Sequence, residues 1–372
     1  MHILNSVFSK TLQQLDLALI KTYPLIRMQA VSDLTKNNLN AFIDRFFFKI
    51  GCLLVKYLKI DTSLALGYGS FKYLRKCKSI NADLSICHQE LATYIGTRLL
   101  KIGHKVAFDF EDWYSADLLP EAQKTRPLSL LKKSERFALR NGAYSTTTSA
   151  ALAKTMAEMY ACIEPRVIYN VFPKQDELIK KRKVFSNPLK LFWFSQTIGP
   201  GRGLEEFLFQ LRTISFPIEL HLLGHIDEPY RRSIRDIVPK QHSICFHKLV
   251  AESELAEVIA AFDIGLALEL AEPPSRNLTI TNKLFQYLQS GLPVIATETA
   301  GQKEIFERFK FGFLLPQKAT IDAGNALHKW LTNSSTLKSS RETAIAAANF
   351  YCWENESKKL LALVNDTIYS KG

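Results

Sequence analysis

The sequence has no long apolar run and no pattern of a secretory signal peptide at its N-terminus. Its most apolar stretches are broken by charge, since Lys49 interrupts residues 46–55 and Asp263 interrupts residues 259–268. Neither stretch approaches the roughly 20 apolar residues that a bilayer-spanning helix requires. The N-terminus also lacks a basic start followed by an apolar core and a cleavage site. These absences predict a cytoplasmic protein.

Cysteine patterns are equally sparse. The six cysteines are scattered, with no CxxC pair and no nearby Cys/His cluster at metal-ligand spacing. Buried free thiols in a reducing compartment are the expected state. The sequence therefore predicts no metal site, and it contains no internal repeat, GxGxxG pattern or P-loop pattern.

Positive charge is in excess, but only in the first half of the sequence. The net charge is +12; residues 1–186 hold 28 Lys and Arg against 16 Asp and Glu, whereas residues 187–372 hold 20 of each. A basic half can meet nucleic acid, anionic lipid or acidic substrates, or can simply be a solvated surface. Because basic and aromatic residues are not interleaved in any known motif, we expect no nucleic-acid partner.

Residues 41–59, AFIDRFFFKIGCLLVKYLK, combine a strongly apolar face with four basic side chains, those of Arg45, Lys49, Lys56 and Lys59. Such a helix can lie on an anionic membrane surface, where each basic residue contributes on the order of 1 kcal/mol. It can equally be a core helix with solvated lysines. The sequence leaves both interpretations open.

A length of 372 residues predicts two domains. The second half alternates strands with helices, which is typical of a doubly wound parallel sheet that binds ligands at the carboxyl ends of its strands. The predicted strands are 191–194, 218–223, 243–247, 264–268 and 293–296, and the predicted helices are 253–261 and 282–289.

The first half also alternates strands with helices, but less regularly. Its predicted strands are 83–88, 105–110, 143–147 and 166–169, and its predicted helices are 89–102, 130–141 and 149–159. Residues 1–60 differ, since they are predicted to be basic and mainly helical. We expect an N-terminal domain over 1–182, a linker within 180–188, a C-terminal domain over 187–350 and a closing helical segment over 351–372.

The turn between strand 191–194 and the following helix is rich in glycine. Gly199, Gly201 and Gly203 surround Arg202, so backbone N–H groups, a helix N-terminus and one cation can all approach an anion. This pattern predicts a phosphate site. A turn that only reverses the chain is the alternative.

A later segment makes the assignment more specific. NKLFQYLQSGLPVIAT, residues 282–297, resembles the NKLFEYMAAGLPVIA signature of family 4 glycosyltransferases, the group 1 glycosyl transferases of GT-B fold. Four further segments resemble family segments in the expected order: DLSICH, FDFEDWYS, WFSQTIGPGRGLE and NFYCWENESKKLLALV. The resemblance covers the chain from Asn81 to its C-terminus.

The resemblance implies an α/β protein with two Rossmann-like domains facing a cleft. It implies transfer of a sugar, of hexosyltransferase type and with retention, from a nucleotide-sugar to a glycan or lipid-linked acceptor, with no metal or other cofactor. The implied setting is synthesis of a cell-surface polysaccharide or glycolipid, by a cytoplasmic enzyme that can dock peripherally on the inner face of the plasma membrane. A non-catalytic relative that only binds a nucleotide-sugar or glycan is the alternative.

The resemblance places the donor diphosphate at the glycine turn. Arg202 stands where the family usually has a diphosphate-binding Lys, and Gln196 stands where it usually has an Arg. Lys283, at a helix start after Thr281 and Asn282, can supply the missing cation or can be a solvated first-turn lysine.

The family's paired glutamates are altered. Gln286 aligns with the second, which holds the ribose hydroxyls, and Leu278 aligns with the first. A Gln still hydrogen-bonds a ribose but accepts less strongly than a carboxylate. Glu269 and Glu272 are candidates for the lost carboxylate, and either can instead be a surface charge.

On the acceptor side, Glu111 matches the family's active-site His and forms an acidic cluster with Asp109 and Asp112. Glu111 can orient a hydroxyl or act as a general base, or it can simply cap a helix or turn. His88 matches the last His of the family's HxH segment and is as compatible with a structural role. We therefore predict catalytic roles for Glu111, Asp112 and His88.

The family's opening strand and glycine-rich turn are not evident in residues 1–70. The first βα unit is therefore expected to be missing or replaced by the basic helical segment.

Overall fold

The computed structural model describes residues 1–181 and 184–369 and divides the chain into two compact units. Unit 1 comprises Met1–Thr147, Met156–Arg166 and Asn365–Gly372, and unit 2 comprises Thr148–Thr155 and Val167–Val364. Two residues of the predicted linker, Arg182 and Lys183, lie outside the described residues.

The first six strands form two sheets. Their bounds are β1 His2–Val7, β2 Arg27–Asp33, β3 Ser85–His88, β4 Val106–Phe110, β5 Ser145–Thr147 and β6 Arg166–Val167. Strands β1 and β2 are a parallel pair, and the other four form a sheet in the order β3-β4-β5-β6, in which β3, β4 and β5 are parallel.

Helices of several lengths accompany these strands: α1 Lys10–Ile20, α2 Leu39–Leu53, α3 Ser70–Ile80, α4 Gln89–Leu100, α5 Pro120–Gln123, α6 Leu128–Asn141 and α7 Ala150–Tyr160. A π-helical turn, Leu54–Leu58, continues α2. The predicted helices over 89–102, 130–141 and 149–159 are thereby confirmed.

The N-terminal residues contain a βαβ unit. Strand β1 pairs in parallel with β2, with His2 opposite Arg27, and α1 runs between them. The prediction that the opening strand is missing or replaced is therefore wrong. Helical residues still outnumber strand residues within 1–60, as predicted. The apolar pattern of β1, HILNSV, is interrupted by polar residues, and Ser9 starts α1 by accepting a hydrogen bond from the Leu12 N–H, so no glycine-rich turn signals the strand.

Phe108 of β4 forms the centre of the core beside the four-stranded sheet. Its side chain is fully buried, and a Cβ on Gly96 of α4 would lie 2.6 Å from its ring. A Cβ on Gly142, just after α6, would lie 2.8 Å from the same ring. The two glycines therefore let both helices approach the sheet closely.

Unit 2 is built around a parallel sheet of six strands, which lie in the order β12-β11-β10-β7-β8-β9. The strands are β7 Leu189–Thr197, β8 Ile218–His225, β9 Ser243–His247, β10 Ile264–Ala267, β11 Val294–Thr297 and β12 Gly312–Leu315. All five strands predicted for this half are confirmed, and β12 is additional.

The remaining helices are α8 Asp176–Lys181, α9 Leu204–Gln210, α10 Glu228–Ile237, α11 Glu252–Ala260, α12 Pro274–Leu278, α13 Asn282–Gln289, α14 Ala300–Arg308, α15 Ile321–Thr332, α16 Ser334–Phe350 and α17 Trp353–Tyr369. Strand β7 lies between β10 and β8 in the middle of the sheet, and its Leu191, Phe192 and Trp193 are all fully buried. A strand covered on both faces is apolar without alternation, as its sequence predicted.

In the described residues, no helix is both long and apolar enough to cross a membrane. The six cysteines are free: Cys87 and Cys352 are buried, Cys245 is exposed and the other three are half-buried. The prediction of free thiols is confirmed, but the prediction that they are all buried is wrong.

Candidate functional site

The glycine turn of unit 2 connects β7 to α9. Gly201 and Gly203 have φ angles of 76° and 79°, a left-handed conformation that only glycine adopts readily. Gly203 precedes α9 directly, and a Cβ there would lie 3.4 Å from Leu268 Cβ and 3.6 Å from the Glu269 backbone N. The turn therefore lies against the segment that follows β10, whereas Gly199 faces open space.

Two cations of this region meet one carboxylate. Arg202 Nη1 lies 3.6 Å from Glu269 Oε1, and Lys283 Nζ lies 3.9 Å from the same oxygen. Glu269 follows β10, Arg202 follows β7, and Lys283 is in the first turn of α13. The sequence thus predicted three residues that the fold brings together at the carboxyl ends of neighbouring parallel strands, where ligands bind in such sheets.

Glu269 is buried and its backbone is held firmly. Thr297 Oγ1 accepts from the Glu269 N–H at 2.8 Å and donates to its carbonyl at 2.7 Å. The Gln302 side-chain amide donates to the Thr297 carbonyl at 2.8 Å. Glu269 Oε2 is buried and has no hydrogen-bond partner within the part of the chain that the structure describes. Glu269 is a fixed acceptor with unused capacity.

Lys283 is enclosed. Its Nζ lies 5.3 Å from the centroid of the buried Trp193 ring. Burial lowers the pKa of Lys283, Glu269 opposes that shift, and Arg202 and Arg276 add to it. A cation over an indole face is stabilised by the ring quadrupole. Lys283 is therefore a desolvated cation, which interacts with an anion more strongly than a hydrated lysine does.

Arg276 adds a third positive charge, which the sequence reasoning missed. Its Nη1 donates to the Gly201 carbonyl at 3.1 Å and so ties α12 to the glycine turn. Two Glu residues start α9 at Glu205 and Glu206, and α9 has only seven residues. The side chains of Arg202, Lys283 and Arg276 therefore bring positive charge to this site, and the contribution of the α9 N-terminus stays a prediction.

The other predicted donor residues are more dispersed. Gln196 and Glu272 are exposed, Leu278 is buried in α12, and Gln286 is half-buried one turn after Lys283. Thr281 precedes α13 without a side-chain capping bond, and Asn282 is its exposed first residue. Of the two candidates for the lost carboxylate, Glu269 is the one that the structure brings to the cations.

In unit 1, three polar side chains form a row across adjacent strands. His88 of β3 pairs in register with Asp109 of β4, and Asp109 pairs with Thr146 of β5. His88 Nδ1 lies 2.8 Å from Asp109 Oδ2, and Thr146 Oγ1 donates to Asp109 Oδ1 at 2.6 Å. The hydrogen bond to Asp109 raises the pKa of His88 despite the opposing effect of burial. His88 is thus held as a hydrogen-bonded imidazole beside Glu111, 3.9 Å away.

Two carboxyl groups that follow β4, those of Glu111 and Asp112, have raised pKa values. Burial raises the pKa of Glu111, Asp109 and Asp112 add to the rise, and His88 opposes it. Burial alone raises the pKa of Asp112. A carboxyl with a raised pKa is better suited to exchange a proton near neutral pH.

These three predicted catalytic residues line one cavity of about 710 Å³ in unit 1. Its wall combines hydroxyl, amide and charged groups with aromatic rings, including those of Asn5, Ser6, Phe8, Tyr68, Tyr73 and Arg126. Strand β1, which the sequence did not predict, contributes Asn5 and Ser6. A pocket of this size and mixed character fits a small polar ligand.

Hydrogen bonds from buried side chains hold the loop that follows Glu111 and Asp112. The buried carboxylate of Glu135 accepts from the Ser115 N–H at 2.9 Å and from the Ser115 hydroxyl at 2.7 Å, and Tyr160 also bonds to it. Tyr114 OH accepts from the Gln89 N–H at 2.9 Å. Gln89 has a φ of 67°, and backbone strain of this kind is found at functional sites. Glu135 and Tyr114 are supports that no sequence pattern singled out.

His88, Asp109 and Glu111 offer ligand atoms within 4.8 Å of one another, so they are the place in the described residues where a metal could bind. Exposed acidic groups are often so arranged without a metal, and Asp109 already bonds to His88 and Thr146. The absence of a metal from the reaction stays a prediction.

Comparison with known proteins identifies the fold. Residues 191–333 match the family model described as "Glycosyl transferases group 1". No curated protein matches the chain. Among solved structures, Anabaena HepE in complex with UDP has a TM-score of 0.64 at 14% identity, over 98% of this chain and 99% of that one.

Two further solved structures are similar. An E. coli trehalose-6-phosphate protein bound with UDP-2-fluoro glucose has a TM-score of 0.61 at 9% identity, over 99% of this chain and 98% of that one. Sucrose-phosphate synthase from Thermosynechococcus elongatus has a TM-score of 0.61 at 16% identity, over 81% of this chain and 78% of that one. At these identities the structures show the fold alone, which is GT-B. The glycosyl transferase group 1 model covers residues 191–333, less than half of the chain, and together with that fold it supports a glycosyltransferase.

Proposed function

We propose that this glycosyltransferase is of family 4 type and moves a sugar, with retention, from a nucleotide-sugar bound by unit 2 to a glycan or lipid-linked acceptor bound by unit 1. The observation that carries the proposal is the convergence of Arg202 and Lys283 on Glu269. Two cations against one carboxylate leave positive charge at this point, and Arg276 adds to it. A diphosphate supplies the matching negative charge.

The chemistry explains why such a site accelerates transfer. When the bond between the anomeric carbon and the diphosphate oxygen breaks, negative charge grows on the diphosphate. Cations that are already in place stabilise this charge without reorganising. Arg202 and Lys283 would therefore act more strongly on the transition state than on the bound donor.

UDP-sugars are the donors to test first, because the Anabaena and E. coli neighbours were solved with UDP or a UDP-sugar. For the acceptor, the unit 1 cavity offers Glu111, Asp112 and His88 as hydrogen-bonding groups and Phe8 and Tyr68 as aromatic surfaces. We place the reaction in the synthesis of a cell-surface polysaccharide or glycolipid, by an enzyme docked on the inner face of the plasma membrane and independent of metal.

The test is release of free nucleoside diphosphate from a panel of nucleotide-sugars. We expect Arg202→Ala to lower kcat/KM about 100-fold or more, while Arg232→Ala, at an exposed position of α10, leaves it unchanged. NMR of the product's anomeric proton distinguishes retention from inversion. Tight donor binding without turnover would favour a non-catalytic relative, an interpretation that the Gln286 and Leu278 replacements support; a chain that binds no nucleotide-sugar would refute both.

A further inference from the structure

Helix α2 exposes the side that a globular protein usually buries. Large apolar residues lie three, four or seven positions apart along α2 and so share one side: Leu39, Phe42, Phe46 and Leu53. Tyr57 and Ile60, in the segment that continues α2, are exposed as well. Leu39 is 73% exposed, Phe42 63% and Phe46 51%. The alternative of a core helix with a solvated lysine face is therefore wrong for this segment.

The opposite side of α2 is the packed one. It buries Ala41, Asp44, Gly51 and, in the continuing turn, Val55. A Cβ on Gly51 would lie 2.6 Å from the Ala65 backbone N. Because the helix packs this closely through small residues, it cannot rotate its phenylalanines inward without losing these contacts.

The exposed rings form a continuous patch, here called the aromatic face: Phe42, Phe46, Phe47 and Phe71. Their neighbouring ring centroids are 6.2 Å apart for Phe42 and Phe46, 5.8 Å for Phe46 and Phe47, and 5.4 Å for Phe47 and Phe71. Contiguous exposed apolar surface marks an interaction site. Phe71 is in the first turn of α3, so the face spans two helices.

Basic residues surround the aromatic face. Residues 39–80 contain eight basic side chains and two acidic ones. One of the acidic pair, Asp44, is buried and neutralised by Lys72 at 2.7 Å, which leaves Asp61 as the exposed acid. Exposed basic residues on α2 and the continuing segment are Arg45, Lys49, Lys56 and Lys59, and those on α3 are Arg75 and Lys78.

A cavity of about 720 Å³ adjoins this surface. Phe71 lines it together with Lys36, Arg75 and Lys76, and with the two carboxyls of Asp33 and Asp44. Asp33 is itself paired with Lys36 at 3.2 Å. The cavity has room for a phosphate group, and its cations outnumber its carboxylates. A phosphate bound there would lie beside the Phe71 ring.

We propose that the aromatic face docks on an anionic lipid bilayer, with its phenylalanines at the headgroup boundary and the surrounding lysines and arginines on lipid phosphates. The binding of an interfacial helix grows with the apolar area that it buries in the membrane and with the attraction of its basic residues to anionic lipid. A second copy of the chain fits less well, because it would bring two sets of like charges together. The aromatic face is the surface that would make the membrane contact proposed above, and its docking does not depend on the transfer chemistry.

The test is flotation of the full chain with vesicles of phosphatidylcholine alone or of equal parts phosphatidylcholine and phosphatidylglycerol. We expect flotation only with the anionic vesicles and a loss at high salt. Lys49→Gln with Lys56→Gln should lower the partition coefficient about tenfold or more, and Phe42→Ser with Phe46→Ser should abolish flotation. Ile321→Ser with Leu361→Ser, two exposed apolar positions of unit 2, should change nothing.

Equal flotation with neutral vesicles, or unchanged flotation of the Phe42→Ser/Phe46→Ser variant, would overturn the proposal. A concentration-dependent dimer in light scattering that the same variant abolishes would assign the face to a second copy instead. Thermal stabilisation by UDP, measured on every variant, reports donor binding separately. A failure of the docking surface is thereby distinguished from a failure of the proposed transferase function.

Discussion

At the scale of single residues, Glu269 links the two donor-site cations. We expect Glu269→Gln to lower the stability of the unliganded protein by roughly 1 to 3 kcal/mol, because it leaves the enclosed Lys283 without its counter-charge. UDP should then raise the melting temperature by more than in the parent, since it becomes the counter-charge. Scanning fluorimetry with and without UDP measures both effects. Glu272→Gln, at an exposed position, is the control, and an unchanged Tm for Glu269→Gln would contradict the assigned role.

The lowered pKa of Lys283 gives a pH dependence with a definite sign. Lysine carries its charge below its pKa, so a lowered pKa brings the loss of that charge closer to neutrality. UDP affinity should therefore decline as pH rises, and the decline should begin at a lower pH than it would for an ordinary lysine with a pKa of about 10.4. Calorimetric titration across this range measures the decline. In Lys283→Arg, which stays charged, the decline should disappear; a persistent decline would mean that another group titrates.

His88 provides a second pH test, in unit 1. Its raised pKa means that its contribution to stability is fully present below the unfolded value, about 6.5, and is lost as pH rises through the folded pKa. We expect the His88 ring proton in NMR to titrate above that value. Asp109→Asn removes the hydrogen-bonded carboxylate at 2.8 Å and should lower the pKa. An unchanged titration would show that Asp109 does not hold this imidazole.

At the scale of helices and strands, what the sequence could predict depended on how completely an element is buried. The sheet of unit 2 was predictable because β7 and its neighbours are apolar on both faces, and the resemblance placed Arg202 and Lys283 in one site. Strand β1 was missed because its residues are only partly buried and mix polar with apolar side chains. Helix α2 has an obvious periodicity, but its packed side is made of small residues, so periodicity alone could not tell which side faces solvent.

Contacts between distant segments were beyond sequence reasoning for a different reason. Arg276 reaches the Gly201 carbonyl across 75 residues, and Glu135 supports Ser115 from another helix. Neither residue has a local pattern that distinguishes it from a surface arginine or glutamate. Their roles follow from the order of strands in each sheet, which a single sequence does not specify.

The packing of α13 on β10 makes an element-scale prediction. A Cβ on Gly265 of β10 would lie 2.2 Å from the Tyr287 ring, and Tyr287 lies one turn after Lys283. Gly265→Ala should therefore cost about 1 to 3 kcal/mol through overpacking and, by displacing α13, weaken UDP binding as well. Thermal unfolding and UDP titration measure the two effects. Gly199→Ala, where a Cβ meets open space, should keep its Tm, and an equal loss in both variants would count against the packing argument.

At the scale of the whole molecule, the two units differ in charge and in the ligands proposed for them. The excess of positive charge lies in residues 1–186, which supply most of unit 1, with its basic helices and its polar cavity. Unit 2 draws mostly on residues from the charge-balanced half, and three of its cations, Arg202, Arg276 and Lys283, lie at or beside the glycine turn. The net charge of +12 is thus explained better by the proposed membrane surface than by the donor.

Because the strands β1–β6 form two sheets of their own and unit 2 has a separate six-stranded sheet, we expect thermal unfolding in two transitions and expect UDP to raise only the one that belongs to unit 2. A ligand at 100 times its Kd stabilises the state it binds by about 2.7 kcal/mol. Tryptophan emission assigns the transitions, since Trp113 is the one tryptophan of unit 1 and Trp193, Trp330 and Trp353 lie in unit 2. The UDP-sensitive step should persist in Trp113→Phe and the insensitive step should fade. A single transition that UDP shifts as a whole would instead show that the units unfold together, so that donor binding in one is coupled to the stability of the other.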